Sequence, residues 1–135
     1  MSRPVLVDTS IFVYALGGDH PLKGPCLQFL LGARAKGLEL HASVEMVQEL
    51  THHRMRKTDT RTAVAQGREA SASCVLHAFD EEVLERSLAL IAEGNVRGRD
   101  AVHAATAQLA GISTIVSTDP AFDLISDRLD PTTLD

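Results

Sequence analysis

Val5-Leu6-Val7 is apolar on successive positions and ends at Asp8, the pattern of a short strand buried on both faces of a parallel sheet. Thr9-Ser10 then supplies capping hydroxyls for a helix around Ile11 to Leu16, which Gly17-Gly18 closes. Pro21 suits the first turn of a second helix that runs to about Lys36, with Gly37 at its exit. Leu38 to Ala42 alternates with polar Glu39 and His41 and reads as a second strand. Ser43 is a predicted N-cap for a helix through Val44, Val47 and Leu50 to Lys57. Residues 60 to 73 predict another helix, weakened by Gly67 and several serines. Val75 to Phe79 is a third strand. Asp80 then caps a helix with Glu81, Glu82 and Glu85 in its first turns, Val83, Leu84, Leu88 and Ile91 as its apolar stripe, and Gly94 at its end. Asp100 opens an Ala-rich helix to about Ala110, Gly111 follows, and Thr114-Ile115-Val116 is a fourth strand ending at Ser117-Thr118-Asp119. Strands alternating with helices predict an α/β fold with a mainly parallel sheet of four to five strands.

Composition narrows this further. A chain of 135 residues, 44% hydrophobic, fits one domain spanning 1-135, with no repeat, linker or low-complexity segment. No apolar run approaches a membrane span, and the N-terminus enters a strand directly, without the pattern of a secretory signal. Cys26 and Cys74 form no Cys-x-x-Cys pair, which fits a reduced, cytoplasmic home. The net charge of −5, from 13 basic and 18 acidic side chains, argues against coating nucleic acid by bulk electrostatics. Its distribution is uneven. Arg54, Arg56, Lys57, Arg61 and Arg68 face only Asp59 in their stretch, whereas Asp119, Asp123, Asp127, Asp130 and Asp135 cluster near the end against only Arg128.

Candidate chemistry follows from where the acids fall. In an open parallel sheet, ligands bind beyond the carboxyl ends of the strands. Asp8 follows the first strand and Asp119 the fourth, Asp100 starts the helix that leads into the fourth strand, and Glu49 lies mid-helix one turn beyond Glu45. Each acid alone has an ordinary explanation as a cap, a turn residue or a solvated helix face. Four carboxylates within about 5 Å would repel by about 3 kcal/mol per pair at an effective dielectric of 20. Six such pairs exceed the roughly 5–15 kcal/mol stability of a typical domain, so protons or divalent cations must offset them. An oxygen-only ligand set selects Mg²⁺ or Mn²⁺ over zinc. Such metals beside basic residues suit phosphodiester hydrolysis, in which an ion activates water and stabilises charge on the phosphate.

Four segments resemble PIN-domain nucleases: Val5-Leu6-Val7-Asp8-Thr9-Ser10, Val47-Gln48-Glu49-Leu50, Arg99 to Ala107, and Ser117-Thr118-Asp119-Pro120-Ala121-Phe122. They cover nearly the whole chain in order, and its size is similar to the VapC toxins of VapBC toxin–antitoxin pairs. The resemblance implies a Mg²⁺-dependent endoribonuclease cutting structured RNA such as tRNA or rRNA, leaving a 5′-phosphate. It makes Asp8 and Asp100 the leading metal ligands, with Asp119 completing the cluster and Glu49 holding a second ion or a water. The Thr9 and Thr118 hydroxyls would orient the carboxylates. It also implies a homodimer and a VapB-like antitoxin that inserts a basic segment into the acidic cleft. Glu45 and Asp123 stand as alternatives for the second and fourth acids.

Arg97 and Arg99, beside Asp100, are candidates for phosphate contact or for a structural salt bridge. The basic residues 54 to 68 fit a solvated helix face as well as an RNA-contacting arm. Glu49-x-x-His52 and Asp100-x-x-His103 have the i,i+3 spacing of di-iron ligands, but the apolar β runs contradict a four-helix bundle. His103 reads as packed and His52 as solvated. Scattered aromatics argue against a base-stacking platform. Two other classes remain for comparison. A non-catalytic PIN scaffold binding RNA or a protein gains nothing from repelling acids. A phosphoacceptor aspartate domain needs a lysine near its last strand, and no Lys follows Lys57.

Overall fold

The computed structural model describes residues 2–94 and 96–133. Five strands form one sheet: β1 (Arg3–Val7), β2 (Leu38–Ser43), β3 (Val75–His77), β4 (Thr114–Val116) and β5 (Asp127–Leu129). The order is β3-β2-β1-β4-β5 and every neighbouring pair is parallel. Six α-helices connect them: α1 (Thr9–Leu16), α2 (Lys23–Gly32), α3 (Val44–Met55), α4 (Thr60–Ser73), α5 (Glu81–Ala92) and α6 (Gly98–Leu109).

Alternation along the strands sorts two cores. Val5, Val7, Leu40, Ala42 and Val116 pack with residues of α1 to α4 on one face. Leu6 and Ile115 point the other way and pack under α5 and α6. Both faces of the central strands are therefore dry, which is why their sequences are apolar at successive positions. Chain order reverses at β1: β2 and β3 lie to one side, β4 and β5 to the other. That switch point opens a crevice at the carboxyl ends of β1 and β4.

Several boundaries differ from the sequence pattern, each for a local reason. Asp8, not Thr9-Ser10, occupies the N-cap position of α1, without a side-chain capping bond. Regular α2 spans Lys23–Gly32, leaving Pro21 outside it. The chain then turns through Gly37, whose φ of 76 permits the Leu38 N–H to Ala33 carbonyl bond of 3.0 Å that closes the exit. α3 ends at Met55 rather than Lys57, and β3 stops at His77 rather than Phe79. α6 begins at Gly98, so Asp100 sits inside its first turn instead of capping it. β5 has no apolar run to announce it; its Asp-Arg-Leu becomes a strand by pairing with β4.

The stripe expected on α5 is the largest correction. Val83, Ser87 and Leu90 are buried, whereas Leu84, Leu88 and Ile91 are exposed. Ser87 Oγ donates to the Val83 carbonyl at 2.8 Å, so a small polar residue enters the core satisfied and lets α5 approach the Ala-rich α6. Ser43 and Asp80 cap α3 and α5 through Glu45 N and Val83 N. Gly67 marks the close crossing of α3 and α4, since a Cβ there would stand 2.3 Å from Thr51 Oγ1.

Candidate active site

β1 and β4 run side by side with Val7 opposite Val116, so the residues that follow them, Asp8 and Ser117, are neighbours. The Asp8 N–H donates to the Val116 carbonyl at 3.0 Å, which extends the ladder to the mouth of the crevice. Asp8 is buried and its Oδ2 accepts from Ser10 Oγ and Ser117 Oγ, both at 2.8 Å. Ser117 Oγ also accepts from the Asp119 N–H at 3.0 Å. Asp119 itself caps a short 3₁₀ turn, Pro120–Leu124, its Oδ1 accepting from Ala121 N–H at 2.9 Å.

α3 and α6 bring the other two acids from opposite faces of the sheet. Glu49 Oε1 accepts from Thr9 Oγ1, and its Oε2 accepts from Arg99 Nη1 at 3.3 Å. Burial pushes Glu49 up, but hydrogen bonds to His103 and Thr9, the His103 charge and Arg99 outweigh it and hold the carboxyl down at about 2. Asp100 has the opposite fate. Burial and the charges of Asp8, Asp119 and Glu49 push it up to about 6, against the opposing pull of His103. Asp8, Glu49, Asp100 and Asp119 all line one cleft of about 670 Å³.

Beneath them lies His103, fully buried one helical turn from Asp100. Its Nε2 is 3.0 Å from Thr9 Oγ1, 3.5 Å from Glu49 Oε1 and 3.8 Å from Asp8 Oδ1. Thr9 has one hydroxyl proton and gives it to Glu49, so Nε2 must be the donor toward Thr9. Burial disfavours the imidazolium, yet the bond to Glu49 and the charges of Asp8, Glu49 and Asp100 prevail and raise its pKa. Nδ1 has no hydrogen-bond partner among the described residues.

The PIN domain model matches residues 5–127, a span that contains all four acids. The chain belongs to the PIN-domain family. Ribonuclease VapC7 of Mycobacterium tuberculosis is 34% identical over 126 residues, covering 91% of this chain and 87% of that protein. In solved structures the fold is similar to M. tuberculosis VapC20, a sarcin-ricin loop cleaving toxin, at 18% identity and TM-score 0.74, covering 89% of this chain and 93% of the other. It is also similar to a chain of a toxin–antitoxin complex from Klebsiella pneumoniae, at 21% identity and TM-score 0.71, covering 94% and 97%.

In this PIN domain the two alternative acids lie elsewhere. Asp123 is paired with Arg128 at 2.9 Å, and neither it nor Glu45 lines the cleft. Thr118 lines it but makes no hydrogen bond to a carboxylate among the described residues; Ser117, one residue earlier, is the hydroxyl that holds Asp8. Arg99 lines the cleft and Arg97 does not. His52 is exposed, as its position suggests, and it also lines the cleft. The basic stretch divides: Arg54 is buried with Nε donating to Gln66 at 2.9 Å, Arg56 lines the cleft, and Arg61 and Arg68 are exposed away from it.

Sequence reasoning passed over Ser10 and Ser117; it read His103 as packed, which it is, but not its contacts with Thr9, Glu49 and Asp8. The signal for His103 was its spacing from Asp100, which puts both on one helix face above the sheet edge. The serines flank acids, a pattern too common to stand out. The supposed approach of all four carboxylates within about 5 Å also needs correction. Among the described residues, no three His, Cys, Asp or Glu side chains are gathered to hold a metal ion. Each of Asp8, Glu49 and Asp119 takes neutral or cationic donors from its own surroundings.

The donor set still fits an oxygen-preferring divalent cation. Asp8 and Asp119 each keep one oxygen without a hydrogen-bond donor, and Asp100 has no side-chain hydrogen bond among the described residues. Among the described residues no sulfur donor lines the cleft.

Proposed function

We propose that residues 1–135 act as one PIN-like nuclease domain, a metal-dependent endoribonuclease that cleaves structured RNA, tRNA or rRNA, and is silenced by a VapB-like antitoxin. The observation that carries this reading is Asp100. Burial first, and then the charges of acids from three other elements that share its cleft, push its carboxyl up to about 6. A fold gains nothing from such repulsion unless something positive binds there. The ribonuclease and toxin names of VapC7 and VapC20, and the toxin–antitoxin assembly of the Klebsiella chain, support the same reading.

Asp8, Asp100 and Asp119 are the proposed ligands of Mg²⁺, or of Mn²⁺ in its place, and Glu49 holds a second ion or a water. When bound, the cation supplies Lewis acidity at the scissile phosphate and favours ionisation of the attacking water. The chain's own groups do the rest. Ser10 and Ser117 lock Asp8 by Oδ2, leaving Oδ1 for ligation. Thr9 and His103 fix the orientation of Glu49. Arg99 is exposed and its pairing with Glu49 is long, so it can turn toward a substrate phosphate at little cost. Water forms the new P–O bond, the P–O3′ bond breaks, and the products carry a 5′-phosphate and a 3′-hydroxyl. A homodimer acting in the cytoplasm completes the proposal. No helix among the described residues is long and apolar enough to cross a membrane.

The test uses the purified chain, freed of any partner, with total bacterial RNA. New 5′-phosphate ends are mapped with Mg²⁺, with EDTA and with Asp8→Asn. Discrete cuts that need metal and vanish in the variant are expected. A folded protein that binds Mn²⁺ and cuts nothing in that pool would instead mark a non-catalytic PIN scaffold.

A further inference from the structure

Past the acids the cleft continues. Val13, Tyr14 and His53 line both the acidic cleft and a second groove of about 430 Å³, which runs on past Gly17, His20 and Lys57. Its charge differs from that of the first. Lys57 lines this groove and Arg56, its neighbour past the end of α3, lines the adjoining acidic cleft; both are exposed and make no ion pair among the described residues. The nearby cations are already committed: Arg54 is buried against Gln66, and the Lys23 ammonium donates to the carbonyls of Ala15 and Gly17. Asp19 is the one acid lining this second groove.

The same groove as Lys57 is lined by a pair of rings. Tyr14 and His20 have centroids 4.7 Å apart and planes inclined by 32°. His20 is held in place because its Nδ1 accepts the Leu22 N–H at 3.1 Å. Tyr14 is half-buried on α1, so its ring is presented from a rigid element, and its hydroxyl has no partner among the described residues. An uncommitted cation in the groove, a second in the adjoining cleft and a fixed aromatic surface that lines both match the two faces of a single nucleic-acid strand, phosphates on one side and bases on the other. A duplex keeps its bases stacked inside and cannot use the ring.

We propose that this second groove, together with the part of the acidic cleft that adjoins it, is a subsite for an unpaired RNA strand, in which Arg56 in the cleft and Lys57 in the groove hold phosphates next to the scissile one and Tyr14, backed by His20, stacks a base. The inference rests on the nuclease reading above and adds to it residues outside the acids that hold the strand.

The full chain carrying Asp8→Asn is titrated with a labelled single-stranded RNA and with the same sequence as a duplex, by fluorescence anisotropy over a range of salt. Single strand should bind more tightly than duplex. Arg56→Ala with Lys57→Ala should lower the slope of log K against log salt by about 1.4. Tyr14→Ala should weaken binding by about ten-fold or more, and Tyr14→Phe should retain it. In the active chain the same substitutions should raise KM for RNA while kcat stays within about two-fold, as expected for lost uniform binding. Unchanged affinity and slope would overturn the subsite, and so would an effect confined to binding of a protein partner. The two readings fail separately: an active chain indifferent to these substitutions refutes the subsite alone, whereas a chain that neither binds nor cuts RNA refutes both.

Discussion

Asp8 is oriented by two serines from different parts of the chain. Ser10 sits in the first turn of α1, and Ser117 follows β4, and both donate to the same oxygen. Ser117 is fully buried and its hydroxyl also receives the Asp119 N–H, so it couples the first and fourth acids. Removing it leaves Asp8 with one hydroxyl donor and the Asp119 N–H unpaired. Ser117→Ala is expected to lower stability by about 1–2 kcal/mol and to lower RNA cleavage about ten-fold or more. Thr118→Ala should change cleavage by less than about two-fold, because its hydroxyl holds no carboxylate. Denaturation midpoints and single-turnover cleavage rates measured on both variants check this pair. Equal losses from both would show that Thr118 also orients an acid.

At the scale of elements, α5 shows why periodicity can mislead. Val83, Leu84, Leu88 and Ile91 form a plausible helical stripe, but the helix buries Val83, Ser87 and Leu90, the stripe that starts at the same residue and drifts the other way. The choice belongs to α6, whose Ala101, Ala104 and Ala105 offer a smooth wall that a small Ser87 can approach closely. Leu90→Ala, at a position 5% exposed, should cost about 2–4 kcal/mol. Leu88→Ala, at 52% exposed, should stay within about 0.5 kcal/mol. Urea midpoints of the two variants decide between the faces, and a larger loss at Leu88 would mean that the stripe read from the sequence is the packed one.

Across the whole molecule, the acidic cluster is a product of topology. Asp8, Glu49, Asp100 and Asp119 come from the β1 exit, α3, α6 and the β4 exit, and the sheet reversal at β1 aims them at one cleft. The raised pKa of Asp100, from 3.8 to about 6, ties this charge to stability. A carboxyl whose folded pKa lies above its unfolded value adds stability that is complete below the unfolded value and lost as pH rises through the folded one. In metal-free buffer at pH 7.5, Asp100→Asn should therefore be more stable than the unaltered chain by about 1–2 kcal/mol after solvent screening. That advantage should shrink between pH 6 and 4 and vanish below the ordinary carboxylate value. Mn²⁺ should raise the Tm of the unaltered chain more than that of Asp100→Asn, since only the former has its full ligand set. Thermal melts over pH, with and without Mn²⁺, read all three, and a variant less stable at every pH would remove the case for repulsion.

The sequence by itself determined which segments are strands and helices over most of the chain. Burial on both faces writes apolar runs such as Val5 to Val7, and capping and exit residues such as Ser43, Asp80 and Gly37 punctuate what lies between. It also determined the four acids as candidates, because each falls at an element end or helix face on the strand-exit side. Tertiary structure alone decided which partners those acids have. Ser117 rather than Thr118 reaches Asp8, Asp123 turns to Arg128, and His103 lies beneath the carboxylates of Asp8 and Glu49. It decided the stripe of α5, the existence of β5, and the meeting of Tyr14 with His20 beside Arg56 and Lys57. The physical reason is one of range. Backbone preference and capping act over a few neighbouring residues, which a sequence displays, whereas pairing of Asp8 with Ser117 depends on strands β1 and β4 lying in register.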